Sequence, residues 1–103
     1  PTPPPSSVDN GRTNSPQEAL VVQNYPNPFN PTTKIWFSLP SAGKASLKLY
    51  DVLGREIMTI AESFYTAGSH EVTLDGAHLQ SGVYYCRLQF GKLTQTHKLL
   101  LLK

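Results

Sequence analysis

Three histidines, one cysteine and seven carboxylates are the side chains of this 103-residue chain from which catalysis or metal binding would have to be built. Hydrolysis needs a nucleophile beside a base, or two facing carboxylates. Asp9, Glu18, Asp51, Glu56, Glu62, Glu71 and Asp75 fall into no paired motif. His70, His78 and His97 show neither HxH nor HExxH spacing, and Cys86 has no CxxC partner. Asp51 and Asp75 stand near Gly54 and Gly76, where a short carboxylate accepts backbone N–H bonds within a turn. No Asp-rich run of the calcium-loop kind accompanies them. Cys86 lies in an alternating strand pattern, where a thiol is a small buried hydrophobe with a raised pKa rather than a nucleophile. Trp36, Tyr50, Tyr65 and Tyr85 could stack on a sugar, and the same rings serve equally well as sheet packing. The chain therefore reads as a non-enzyme, with no catalytic, cofactor-binding or metal-binding residue.

The elements that carry these residues are short strands. Residues 1–16, rich in Pro, Ser, Thr and Asn, hold almost no large apolar side chain and read as a linker. The folded domain is expected over residues 17–103. Residues 34–39 alternate, with Ile35, Phe37 and Leu39 on one face; residues 45–50 repeat the pattern with Ala45, Leu47 and Leu49. Residues 51–54 form a hairpin loop whose Gly54 tolerates positive φ. Residues 56–60 alternate imperfectly, which predicts a bulge or an edge. Strands follow at 70–74, 83–90 and 93–102, separated by turns at 66–68, 75–76 and 91–92. The run 99–102 has no alternation and reads as a buried strand. No apolar stripe of helical period is present. The expected fold is all-β: an Ig-like or fibronectin-III-like antiparallel β-sandwich of about seven strands.

Bulk properties narrow the partners. The net charge is +2 and the Lys and Arg residues are scattered, which argues against nucleic acid. Residues 99–102 fall far short of the ~20 apolar residues of a membrane span. A single cysteine permits no internal disulfide. A chain that opens on Pro1 rather than Met is expected to be a piece of a longer protein.

One stretch is not generic. In residues 23–33, QNYPNPFNPTT, Pro26, Pro28 and Pro31 remove ladder donors and are expected to hold an extended path. Asn24, Asn27 and Asn30 would bond the backbone sideways, while Tyr25 and Phe29 cap an open end of the sandwich. This run resembles the opening of the type A C-terminal sorting domain of the type IX secretion system. The likeness continues in order through Tyr50, Asp51, Gly54 and Arg55 ("YD..GR"), Gly68, Asp75 and Gly76, and Ser81, Gly82, Val83 and Tyr84 ("SGVY") to Lys103. Ig-like modules of flagellar hook-capping proteins share some of these pieces. Cys86 departs from the pattern, standing where an aromatic is common.

The resemblance implies a monomeric, Ig-like address domain on an N-terminal cargo domain. It implies export through the periplasm and across the outer membrane of a Gram-negative cell by the type IX translocon. Cleavage by a surface sortase-like protease is then expected near residues 15–20, leaving the cargo at the surface or released. The last strand, with Thr94, Thr96, Lys98, Leu99, Leu100, Leu101, Leu102 and Lys103, is the expected recognition surface for the export machinery. It is expected to be an open edge, with Lys98 and Lys103 orienting the partner by charge. An accessory carbohydrate-binding module and an inert Ig-like spacer are the alternatives.

Overall fold

Strand alternation sorts this sequence into two apolar faces, and the computed structural model packs those faces against each other. It describes residues 20–103; the expected linker and the start of the domain, residues 1–19, lie outside the described residues. The strands are β1 (Val21–Tyr25), β2 (Thr32–Leu39), β3 (Gly43–Tyr50), β4 (Glu56–Tyr65), β5 (Gly68–Asp75), β6 (Gly82–Phe90) and β7 (Leu93–Leu101). They form a three-stranded sheet of order β1-β2-β5 and a four-stranded sheet of order β4-β3-β6-β7, with every pair antiparallel. β4 pairs with β3 rather than β5, the fibronectin-III-like variant of the immunoglobulin sandwich.

The core is the inner face of both sheets. Ile35, Phe37 and Leu39 of β2 and Leu74 of β5 face Ala45, Leu47, Leu49, Tyr84, Cys86, Leu88, Leu99 and Leu101 from the other sheet. Run 99–102, which lacks alternation in sequence, alternates in space. Leu99 and Leu101 are buried, Leu100 is half-buried and Leu102 is exposed. Fitting these residues to a strand thus turns one of four leucines into solvent and leaves another at the surface of the sheet.

β4 is both an edge and bulged. Its register against β3 shifts between Leu47 and Lys48 and again between Leu49 and Tyr50. It also runs on to Tyr65, beyond the expected end at residue 60, because the turn at residues 66–68 closes directly onto β5. At that turn Tyr65 packs edge-on against Phe37, ring centroids 5.1 Å apart, and His70 lies 4.8 Å from Tyr65.

Leu49 is fully buried on β3, one of the two central strands of the larger sheet. Leu49→Ala is expected to destabilise the fold by about 3 kcal/mol, read as a lowered urea midpoint with unchanged slope.

Candidate functional site

Strand direction gives the sandwich two distinct ends. At one end the described chain enters at Leu20, beside the turns at residues 40–42, 66–67 and 91–92. At the other end meet the loop between β1 and β2, the hairpin between β3 and β4, the connection from β5 to β6, and the end of β7. The singled-out segments collect at this second end, apart from Gly68 and the first half of β7, where Thr94 and Thr96 lie toward the entry end. Gly68 sits at the entry end, with φ +108° at the turn into β5.

Each segment folds there for a local reason. Asp51 Oδ1 accepts the N–H groups of Leu53 (2.9 Å) and Arg55 (3.0 Å), and Oδ2 accepts Arg55 Nε at 2.9 Å. Gly54, at φ +84°, returns its N–H to the Asp51 carbonyl at 3.0 Å. The Arg55 amide, then the guanidinium and the Leu53 amide, hold the Asp51 carboxyl below its ordinary pKa. Asp75 Oδ1 accepts the Ala77 N–H at 2.9 Å. Tyr84 donates its hydroxyl back to the Gln80 carbonyl at 2.7 Å, a tyrosine corner at the start of β6. Gly76 packs where a Cβ would meet Pro31 O at 3.1 Å, Leu101 Cδ2 at 3.2 Å and Phe29 Cε2 at 3.3 Å. Its N–H bonds Pro31 O at 2.7 Å.

The β1–β2 loop then reaches the edge of β7. The Asn27 side-chain amide pairs with two backbone groups of that strand: Nδ2 donates to Lys98 O at 3.2 Å, and Oδ1 accepts from Leu100 N at 3.0 Å. Phe29 continues the same line. Its N–H donates to Leu100 O at 2.9 Å, its carbonyl accepts Leu102 N–H at 3.0 Å, and it forms a parallel bridge with Leu101. Asn27 and Phe29 thus stand in for a neighbouring strand. Asn24 anchors the base of the loop. It is buried, donates to Pro26 O and Thr33 Oγ1 at 3.2 Å each, and accepts His97 Nε2 at 2.8 Å. His97 Nε2 therefore carries the proton, and burial lowers the pKa of the ring.

Several expectations change. The β7 edge is not open along its length, because the groups from Lys98 O to Leu102 N are taken by Asn27 and Phe29. Lys103 does not swing free: its Nζ donates to Ala77 O and Leu79 O, each at 2.7 Å, and its amide donates to Ser81 Oγ at 2.9 Å, which holds its charge at one place. The proline-rich run is bent at residues 26–28 and 30–31 rather than extended. Phe29 caps the sandwich at 2 % exposure, whereas Tyr25 is 59 % exposed and Asn30 faces solvent. Val22 and Asn24 take the inner face of β1, so the pleat turns Tyr25 outward, while Phe29 lies in the loop against β7.

The remaining reactive side chains stay apart. His70 bonds the Thr66 carbonyl at 2.7 Å, His97 bonds Asn24, and only His78 is exposed. Cys86 is fully buried, and that burial pushes its thiol up to about 12. Tyr50 and Tyr85 are neighbours on the outer face of the larger sheet, with Arg87 4.5 Å over the Tyr50 ring. Trp36 is nearly buried on the other sheet and Tyr65 lies at the entry end, so the four aromatics form no single row. Among the described residues no three of His, Cys, Asp or Glu could hold one metal ion, and no helix is long and apolar enough to cross a membrane.

The arrangement defines a class: a fibronectin-III-like sandwich whose ordered features are turns, a tyrosine corner and a capped strand edge. The family model described as a secretion system C-terminal sorting domain matches residues 23–102. The chain belongs to that family, the C-terminal sorting domains of type IX secretion. Membership places it on a cargo chain handled by secretion machinery and directed to the cell surface or the medium. No curated protein matches the chain.

Asn27→Ala is expected to cost about 1 kcal/mol and to speed hydrogen exchange at the Leu100 amide while leaving that of Leu88 slow. Asn27→Asp should do no better, because a carboxylate cannot donate to Lys98 O. The lowered Asp51 pKa sets the sign of an acid effect. Its contribution is full above the ordinary aspartate range and is lost as pH falls through the lower folded value. Asp51→Asn should make the acid limb of a stability–pH curve shallower.

Proposed function

We propose that residues 17–103 are the address domain of a larger cargo, carried from the periplasm across the outer membrane by the type IX translocon. The domain contributes recognition and no catalysis. A surface sortase-like protease cuts near residues 15–20, and the cargo is then joined to an anionic lipopolysaccharide or released. All of that stretch except Leu20 lies outside the described residues. The recognition surface is the outward side of the last strand, with Thr94, Thr96, Lys98, Leu100, Leu102 and Lys103; Leu99 and Leu101, expected among these residues, are buried in the core and serve to pin the strand.

The observation that carries this reading is the gathering of the family's segments, distant in sequence, at the end of the sandwich opposite the entering chain. Cargo joined ahead of Leu20 leaves that end free to meet a receptor. The segments there hold the end of β7 in place: Asn27 and Phe29 along its edge, and Ala77, Leu79 and Ser81 around Lys103. A fold built to hold the end of one strand in position suits a signal that is read along that strand.

A transplant tests the reading. Residues 17–103 fused behind a periplasmic fluorescent reporter should carry it to the surface or medium in a strain with a working type IX apparatus. They should fail in a strain without the translocon, and fail when residues 94–103 are removed. A reporter that stays in the periplasm with the domain folded would reduce it to a spacer or a carbohydrate-binding module, and polysaccharide retention would separate those two.

A further inference from the structure

Among the described residues the cap on β7 stops halfway. Leu100 meets the loop on the side turned away from β6, and backbone polarity repeats every two residues along an antiparallel strand. The same outward side therefore carries the N–H and C=O groups of Thr94 and Thr96 and the N–H of Lys98. No hydrogen bond from the described residues reaches these groups, and the side chains of Thr94, Thr96 and Lys98 are exposed. The other outer strands are guarded by the usual devices against added strands. β4 carries two register shifts with Glu56 and Glu62, and β5 carries Glu71 and Asp75. β1 has five residues and runs into Pro26. β7 pairs with β6 without a register shift and contains neither proline nor acid; its guard is positive charge alone, Lys98 with Lys92 before the strand, which repels a basic strand and admits an acidic one.

We propose that an extended protein segment bearing acidic side chains adds as a further strand along residues 94–98, and that the Asn27–Phe29 loop marks where its pairing stops. This rests on the sorting reading above and names its partner: a backbone that matches the five open groups, with carboxylates placed near the two lysines. The capped half of β7 then acts as a fixed stop that sets the register of the incoming strand, since Asn27 already occupies the next carbonyl.

The test uses the full 103-residue chain behind the reporter in a type IX-competent strain. Thr96→Pro deletes an outward N–H without touching the ladder to β6, a place where proline is tolerated; Thr96→Val keeps the N–H and changes only the side chain. Thr96→Pro should lower export about tenfold with a thermal midpoint near that of the parent, while Thr96→Val exports normally. The paired change Lys92→Glu and Lys98→Glu should lower export as well. Normal export of a folded Thr96→Pro domain overturns strand addition, and so does an equal loss with Thr96→Val, since the side chain would then be what is read. Thr94→Pro applies the same criterion if the Thr96 variant does not fold. Undiminished export of the double glutamate variant overturns the acidic partner. Removal of residues 94–103 reports on the sorting reading separately: export that survives it sinks that reading, whereas its loss alongside normal Thr96→Pro export sinks strand addition alone.

Discussion

A strand edge cannot leave its peptide groups unpaired in contact with apolar surroundings, and the far end of this domain is organised around that constraint. Leu99 and Leu101 commit β7 to the core, which pins the strand and turns the backbone of Leu100 outward beside Phe29. A regular extra strand would satisfy it but would need more chain than the turn between β1 and β2 provides. The solution uses one side-chain amide and one backbone residue. The Asn27 amide has the donor–acceptor geometry of a peptide group, so it pairs with Lys98 O and Leu100 N as a strand would.

That contact makes the rest of the end interdependent. Phe29 can bridge Leu101 only if its ring has somewhere to go, and it goes under the sandwich, 2 % exposed, against Gly76. A side chain at Gly76 would meet Phe29, Leu101 and the Pro31 carbonyl together, so the β5–β6 connection depends on the absence of a Cβ. Asn24 and Thr33 hold the two feet of the loop through Pro26 O, and His97 ties Asn24 back to β7. The surface ion pairs Lys34–Glu71 and Lys48–Glu56 are solvent-exposed and add little by comparison. Together these bonds hold the far end of the domain in one shape.

Much of this was legible in the residues. Period-2 patterns in β2, β3 and β6 located the strands and their inner faces, because alternation is a local consequence of the pleat. Asp51 with Gly54 signalled its turn because the bonds it makes lie within a few residues, whereas Tyr84 stood out only through the likeness of the SGVY run and its bond to Gln80 came from the structure. The weak pattern of β4 was a true sign of an edge with bulges, and its end was missed because Phe64 and Tyr65 alternate no better than the turn that follows. His97 was missed as a partner of Asn24, since nothing in either neighbourhood marks the other.

By itself, then, the sequence determined the all-β class, the order of the strands along the chain, the inner faces of the sheets and the absence of any motif for catalysis. Tertiary structure alone decided which edges are covered. The bonds of Asn27 to Lys98 and Leu100, and of Asn24 to His97, join residues more than seventy positions apart. No local periodicity encodes such a pair. Whether Tyr25 or Phe29 turned inward, where the Lys103 ammonium is held, and how much of β7 the described residues cover all depended on what the folded chain brought alongside them.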